Sequence, residues 1–385
     1  MARKAYVGVN NVARQAKKIY VGVNNVARKV KKGYIGVANV ARLFFSGIPR
    51  LVYHKDYFST GTYAKTTSAY NGRYGFIGGS DQSGHTKDVV AFDKDLVMTV
   101  PTSATYRPSQ GIQINPYVIF VPYDYSGFDY YNQAQTHGTF TISGITSGYG
   151  FWALYNDAYA ILYPKEIGYG YPNKLFLINS TLTVIPVDVS SYGEYEHVGF
   201  PCRTNNGNYA LILGGEEESA GGGLASDYFS DGVEAVDTNG TIISLPDLPE
   251  RRARALGVRA GDYALCAGGE VGANASVAQY VYTVYAYNQS LTRSNAPNLS
   301  ARSNTFVWNI NASASAGEYG IVSVYTQTYY NGNYTYTHKY DAYSSELVKQ
   351  TFNTDKICEA GVSVGVGAVF SSNTVSNKLD AFSLD

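Results

Sequence analysis

The sequence predicts an all-β chain, a seven-bladed β-propeller preceded by a short β-repeat arm. Three observations carry that prediction. A tyrosine-led apolar stretch recurs through the chain, an alternating stretch that ends in a turn-forming residue follows each copy, and the composition favours strands. The clearest copies of the first stretch are NGRYGFIGGS from Asn71, NGNYALILGGE from Asn206 and AGDYALCAGGE from Ala260. Weaker ones are PYVIFV from Pro116, DAYAILY from Asp157, EYGIVSV from Glu318 and GVGAVFS from Gly365. Their lead positions, Tyr74, Tyr117, Tyr159, Tyr209, Tyr263, Tyr319 and Gly367, are spaced by 43, 42, 50, 54, 56 and 48 residues. A period in that range marks an array of small β units and a propeller in particular.

The second stretch reads VAFDKDL at Val90, FTISGI at Phe140, FLINSTL at Phe176, EAVDTNGTI at Glu234, YAYNQSL at Tyr285, DAYSSEL at Asp341 and DAFSLD at Asp380. Each is read as a strand closed by Asp, Asn or Ser, whose short side chains bond nearby backbone and favour turns. With 40 Gly, 37 Tyr and 16 Phe against 2 Met and 2 Trp, twisted strands and tight turns are expected and helices are not.

In chain order, residues 1–46 form the expected arm and residues 47–385 the propeller. The arm repeats AYVGVNNVARQAKK, IYVGVNNVARKVKK and GYIGVANVARLFF at a period of fourteen, fixed by Tyr6, Tyr20 and Tyr34. Each unit reads as a hairpin or rung: an alternating stretch, a polar pair, then apolar residues alternating with basic ones. The ten Lys and Arg of residues 1–45 stand without an acid, so this segment carries +10 and the remainder −10. A ribbon this short buries too little apolar area to hold itself together, so it is expected to order on copies of itself, an acidic protein surface or nucleic acid. Tyr6, Arg14, Tyr20, Arg28, Tyr34 and Arg42 are the expected anchor residues. Segment Arg50 to Tyr63 is expected to supply the outer strand that the last blade lacks, closing the ring and placing the arm at its rim.

Within the ring, PYDYSGFDYYNQ, YPKEIGYGYPNK and VYTQTYYNGNYTYTHKY are crowded with tyrosine, and GGEEESAGGGLASDYFSDG is an acidic insertion. Insertions within blades map to loops on one face, where binding resides. Tyr123, Tyr125, Tyr130, Tyr131, Tyr169, Tyr171, Tyr329 and Tyr330 are therefore the candidates for contact with a host surface, with packing between blades the competing role. Arg251, Arg252, Arg254 and Arg259 could clamp an acidic sugar, but structural ion pairs are the favoured reading. The Glu216 run is read as a solvated loop or a cation site.

The three cysteines, Cys202, Cys266 and Cys358, lack metal spacing and read as buried small residues. Five histidines are scattered singly and no acid, base and nucleophile cluster together. No catalytic residue, metal or cofactor is expected, and the chain is read as a non-enzyme. No run of eighteen apolar residues or signal peptide is visible, so no membrane insertion is expected.

YGFIGG, YALILGG and YALCAGG with VAFDKDL and VYAYNQSLTRS resemble kelch-type repeats of the divergent kind found in bacterial and bacteriophage proteins. The resemblance covers Arg50 to Asp385; three of the seven copies keep the Gly pair, and the Trp usual late in kelch units is missing. The YVGVNNVAR units resemble repeats of structural proteins of phages infecting Gram-positive bacteria. The two resemblances imply a virion fibre or spike protein exposed on head or tail, anchored through its arm to other virion proteins, oligomeric, and binding a host surface glycan or protein. A capsid or tail decoration protein without a receptor is the alternative, and a carbohydrate-active enzyme, which kelch folds also host, the third reading. Nucleic acid is not among the partners this implies.

Overall fold

The computed structural model describes the backbone of six arm strands in residues 6–46. Beyond the arm it describes residues 49–59, 67–79, 87–122, 124–145, 150–165, 174–189, 200–217, 228–273, 277–303, 312–330, 333–356, 358–372 and 378–385. Backbone contacts divide the chain into residues 1–52 with 384–385, and residues 53–383.

In the first unit each fourteen-residue repeat folds as an antiparallel hairpin. Tyr6–Val9 pairs with Val12–Gln15, Tyr20–Val23 with Val26–Lys29, and Lys32–Val37 with Val40–Ser46. The registers coincide: Tyr6 faces Gln15, Tyr20 faces Lys29 and Tyr34 faces Leu43, while Arg14, Arg28 and Arg42 face Val7, Val21 and Ile35. Among the described residues the three hairpins form separate two-stranded sheets. An isolated two-stranded sheet is marginal in water.

The second unit is built of strands, and its described residues form seven main antiparallel sheets, six of four strands and one of five, beside a small three-stranded sheet of Arg252–Ala253, Glu270–Val271 and Gln279–Tyr280. Their innermost strands are Thr67–Tyr70, Pro108–Ile114, Phe151–Tyr155, Cys202–Asn205, Leu256–Ala260, Ser313–Ala316 and Cys358–Ser363. Each recurrent tyrosine-led stretch is the second strand of a sheet, pairing back on the innermost strand. The third strand is the second motif in six sheets. In the second sheet it is Phe128–Tyr131, from FDYYNQ. FTISGI at Phe140 instead closes the outer strand His137–Phe140, because alternation alone does not separate neighbouring strands of one sheet.

The turn between third and fourth strands recurs in atomic detail. The side chains of Asp93, Asn132, Asn179, Asp237, Asn288 and Ser344 each accept backbone N–H bonds from the residues two and four further on. The residue three further on, Leu96, Gln135, Leu182, Gly240, Leu291 or Leu347, has positive φ. The local carboxylate, amide or hydroxyl satisfies the turn's donors and so holds a backbone shape that leucine rarely adopts.

The sheets meet along their innermost strands. A Cβ on Gly257 would lie 1.8 Å from the Arg203 carbonyl oxygen, and Gly111 and Gly361 make the same close approach to Ser68 and Ser313. Hydroxyls stitch the contacts: Ser68 Oγ donates to Gly361 O (2.6 Å), Ser313 Oγ to Gly257 O (2.6 Å), Ser315 Oγ to Arg259 O (2.8 Å) and Thr204 Oγ1 to Val258 O (3.0 Å). Between the second and third sheets the Gln110 amide does the same, donating to Phe151 O (2.8 Å) and accepting from Ala153 N (3.0 Å). Apolar clusters fill the spaces between successive sheets, such as Ile112, Ile119 and Phe128 against Phe151, Leu162 and Phe176.

The seventh sheet takes its outer strand, Leu51–Ser59, from the other end of the chain, as expected of the Arg50 to Tyr63 segment; residues 60–63 lie outside those described. Asp380, fully buried on the third strand, gathers the closure. It accepts from the Tyr53 hydroxyl (2.9 Å) and Asp56 N–H (3.0 Å) of the closing strand, and from Tyr340 (3.1 Å), Thr354 (2.7 Å) and the Lys356 ammonium (2.8 Å) of the sixth sheet and its exit. Lys356, also buried, bridges to Asp56 Oδ1 at 2.5 Å.

Two substitutions test this frame. Asp380→Ala leaves the buried Lys356 ammonium with Asp56 alone and takes the acceptor from four other donors, so urea unfolding should show a loss of about 3 kcal/mol. Gly257→Ala forces two innermost strands apart and should cost at least about 1–3 kcal/mol; a neutral result in either case removes the role assigned to that residue.

Candidate functional site

Period-two alternation along the innermost strands turns every second side chain toward the centre of the ring. The result is two tiers around a cavity of about 310 Å³. The tier tied together by the stitching bonds holds Ser68, Gly111, Ala153, Arg203, Gly257, Ser313 and Gly361, one from each sheet in order. The next tier, beside the turns into the second strands, holds Tyr70, Gln113, Tyr155, Asn205, Arg259, Ser315 and Ser363. The intervening residues, such as Ala69, Ile112, Leu154, Val258 and Val362, point between sheets and are buried.

The first tier is small everywhere except at Arg203. Its Nη1 donates to Gln110 Oε1 (2.5 Å) and Ala153 O (3.3 Å), its guanidinium lies 5.1 Å from the Trp152 ring centre, and its Nε is buried without an acceptor. Burial pushes the Arg203 pKa down to about 10, which leaves it a cation at neutral pH. The second tier supplies two phenols, two amides, two hydroxyls and one guanidinium. Burial raises the pKa of Tyr70 and Tyr155, so both phenols are neutral donors and acceptors. Arg259 is anchored, donating through Nε to Gly261 O (2.9 Å) and pairing with Asp157 Oδ1 at 3.0 Å. Arg203 and Arg259 are the charged residues of the lining, which holds no carboxylate and no histidine among the described residues. The cavity can therefore surround a polar ligand with neutral hydrogen-bonding groups and offer it positive charge.

The tyrosines singled out in the sequence lie elsewhere. Tyr131 is a correction: it is buried between the first and second sheets with its hydroxyl on Thr102 O (2.8 Å), so its ring reaches no outside surface. Tyr130 is half-buried against Tyr117, and Tyr125 exchanges hydrogen bonds with both N and O of Phe151, tying the second sheet to the third. Tyr329 and Tyr330 occupy the long hairpin of the sixth sheet opposite Tyr334 and Asn333, and Tyr123, Tyr169 and Tyr171 lie outside the described residues.

The arginine group is divided as structural pairing requires. Arg252, 1% exposed, pairs with Glu250 and lies over the Tyr285 ring. Arg254, at positive φ, spans Glu216 (3.0 Å) and Glu270 (3.2 Å), and Arg251 is exposed. Glu216, read from the sequence as part of a solvated loop, is thus buried in an ion pair, while Glu218 lies outside the described residues. The Gly pair preceding each of these glutamates has its structural reason at Gly214, at positive φ, where a Cβ would lie 2.1 Å from Arg252 O. All three cysteines are free and buried. Of the histidines, His137 pairs with Asp129 (2.6 Å), His54 bonds Ser383 (2.8 Å) and His338 is buried; His85 and His197 lie outside the described residues.

No family model and no curated protein matches the sequence. Solved structures do resemble the fold. Virginiamycin B lyase from Staphylococcus aureus aligns at 11% identity over 87% of this chain and 99% of its own, with a TM-score of 0.52. A streptogramin B lyase aligns at 9% identity over 87% and 98%, with a TM-score of 0.52. YjhT aligns at 12% identity over 77% and 99%, with a TM-score of 0.51. At such identities the likeness establishes the β-propeller fold. It also corrects the expectation that the chain is a non-enzyme: two of these propellers are lyases, so this architecture carries bond-breaking chemistry and gives no ground for excluding it.

The Arg203 site has a thermodynamic signature. A cation whose folded pKa is depressed costs stability at every pH below about 10, and the cost is relieved above it. Arg203→Met should therefore gain about 1 kcal/mol near neutral pH, with the advantage over the parent shrinking as pH rises past about 10. A variant less stable than the parent across that range would make Arg203 a structural brace.

Proposed function

We propose that this protein is an anchored recognition protein of a virus particle, a kelch-like propeller of phage origin that binds a host surface saccharide at its central cavity and is held by the hairpin arm. The observation that carries the recognition half is the second tier of the cavity. Seven sheets converge phenols, amides, hydroxyls and a guanidinium on one space, and concave sites with a few convergent polar groups and aromatic faces suit sugars. The anchoring half is supported by the arm, whose three hairpins share one register and present Arg14, Arg28 and Arg42 at equivalent positions without an acid in the segment. Two-stranded units with unpaired edges and a +10 charge suit docking on an acidic surface of other virion proteins or on further copies of the chain. The kelch and phage affiliations rest on the YALILGG, YALCAGG and YVGVNNVAR residues. A decorating role without a receptor shares the arm but leaves the polar cavity without a use.

A second reading is favoured by the shared fold: that the ring performs lyase chemistry of the kind its structural neighbours are named for. Turnover of virginiamycin B by the full chain measures it directly.

The proposed function has two expected outcomes. The full chain should bind host cells, and binding should fall sharply once surface polysaccharide is stripped; unchanged binding would point to a protein receptor or to none. Reversal of Arg14, Arg28 and Arg42 to Glu should abolish incorporation into particles while the propeller melts as before. Salt should weaken docking of the parent arm. Normal incorporation of the triple variant would contradict the anchoring role.

A further inference from the structure

We propose that the cavity selects an acidic sugar, and that Arg203 is the residue that neutralises the sugar's carboxylate. The proposal rests on the saccharide reading above and adds to it the ligand class and the residue that sets it.

Charge balance is the starting point. Arg252, Arg254 and Arg259 each meet a carboxylate, through Glu250, through Glu216 with Glu270, and through Asp157. Arg203 meets none among the described residues: its two hydrogen bonds go to neutral oxygens, and its Nε, buried, donates to nothing. A partly buried guanidinium with a shielded Nε and no counter-charge is costly to leave unpaired, and an anion entering the cavity would complete it. The cavity is where that anion would come from, since Arg203 is its one large first-tier residue and no Asp or Glu lines it.

Size and surroundings narrow the class. A volume of about 310 Å³ stands at the lower end of small-molecule pockets and suits one sugar ring better than a chain. In the tier beside Arg203, the Gln113 amide and the Tyr70 hydroxyl line the cavity and make no side-chain hydrogen bond among the described residues, which leaves them for ring hydroxyls. One uncompensated guanidinium matches one negative charge in a planar fork, the geometry of a carboxylate. Doubly charged phosphate or sulfate exceeds that balance, and a metal cation meets the wrong sign.

The test is calorimetric titration of the full chain with glucuronate and galacturonate against glucose and galactose at constant ionic strength, with inorganic sulfate as a further arm. We expect a uronate to bind and its neutral counterpart to bind about tenfold to a hundredfold more weakly, the difference a charge-assisted bond makes. Arg203→Met should erase that preference, and Arg203→Lys should keep part of it. Equal affinity for uronate and neutral sugar, an unchanged preference in Arg203→Met, or sulfate binding tighter than any uronate would overturn the proposal. Should Arg203→Met fail to fold, the comparison in the parent chain and in Arg203→Lys still decides. Attachment to host cells without uronate preference would sink this inference and leave the saccharide reading standing. Absence of both polysaccharide-dependent attachment and any sugar binding would sink the two together.

Discussion

Everything in the propeller depends on how closely its innermost strands approach at the centre. Seven sheets can share one axis only if neighbouring backbones touch there, and the residues at the contacts are chosen accordingly. Gly111, Gly257 and Gly361 remove the Cβ that would collide with the next strand, and Ser68, Ser313, Ser315 and Thr204 turn short hydroxyls onto carbonyls of the adjacent sheet. Carbonyls of one sheet thereby gain a donor from the next, which helps satisfy the polar groups packed at the contact. Closure at the rim obeys the same need. Asp380 gathers donors from the closing strand Leu51–Ser59 and from the sixth sheet, so that the third strand of the last sheet is not left as an open edge.

The part of this visible in the sequence is the part that repeats locally. The second strand of each sheet is a short apolar run behind a tyrosine or its equivalent, and the turn after the third strand needs an Asp, Asn or Ser at a set place; both signals lie within a few residues. The closing strand was legible because Arg50 to Tyr63 had no other place in the count. The cavity was not. Its lining comes from the least regular strands, such as GIQI around Gln113 and CRTN around Arg203, and each residue's role is set by a neighbouring sheet some fifty residues away. Tyrosine crowding pointed instead to FDYYNQ, where Tyr131 proves to be core, because tyrosine is as useful between sheets as on a surface. Arg203 carried no signal at all: an arginine without a nearby acid in sequence is commonplace, and only the fold reveals that none arrives from elsewhere among the described residues.

The same central constraint links fold to function. Tight packing of the first tier demands small side chains, and small side chains leave a space. Into it the sequence places Arg203, with a second tier of neutral hydrogen-bonding groups and the Asp157-paired Arg259 beside it. On the reading proposed above, a ligand would meet groups already held in place by the packed innermost strands, at little entropic cost. The arm is the opposite case. Its hairpins repeat a register but not a shared sheet, and their charge is unbalanced within the segment, which suits a part completed by its partner.

The central claim is that recognition occurs within the ring's cavity and not on the loops around it. Replacing Gln113 by Trp fills the cavity from the second tier without touching the stitching bonds. Measuring attachment of the full-length variant to host cells beside the parent, with its melting temperature as a control, is the most direct test. The account predicts a propeller that melts like the parent and no longer attaches; undiminished attachment by a folded variant would contradict it.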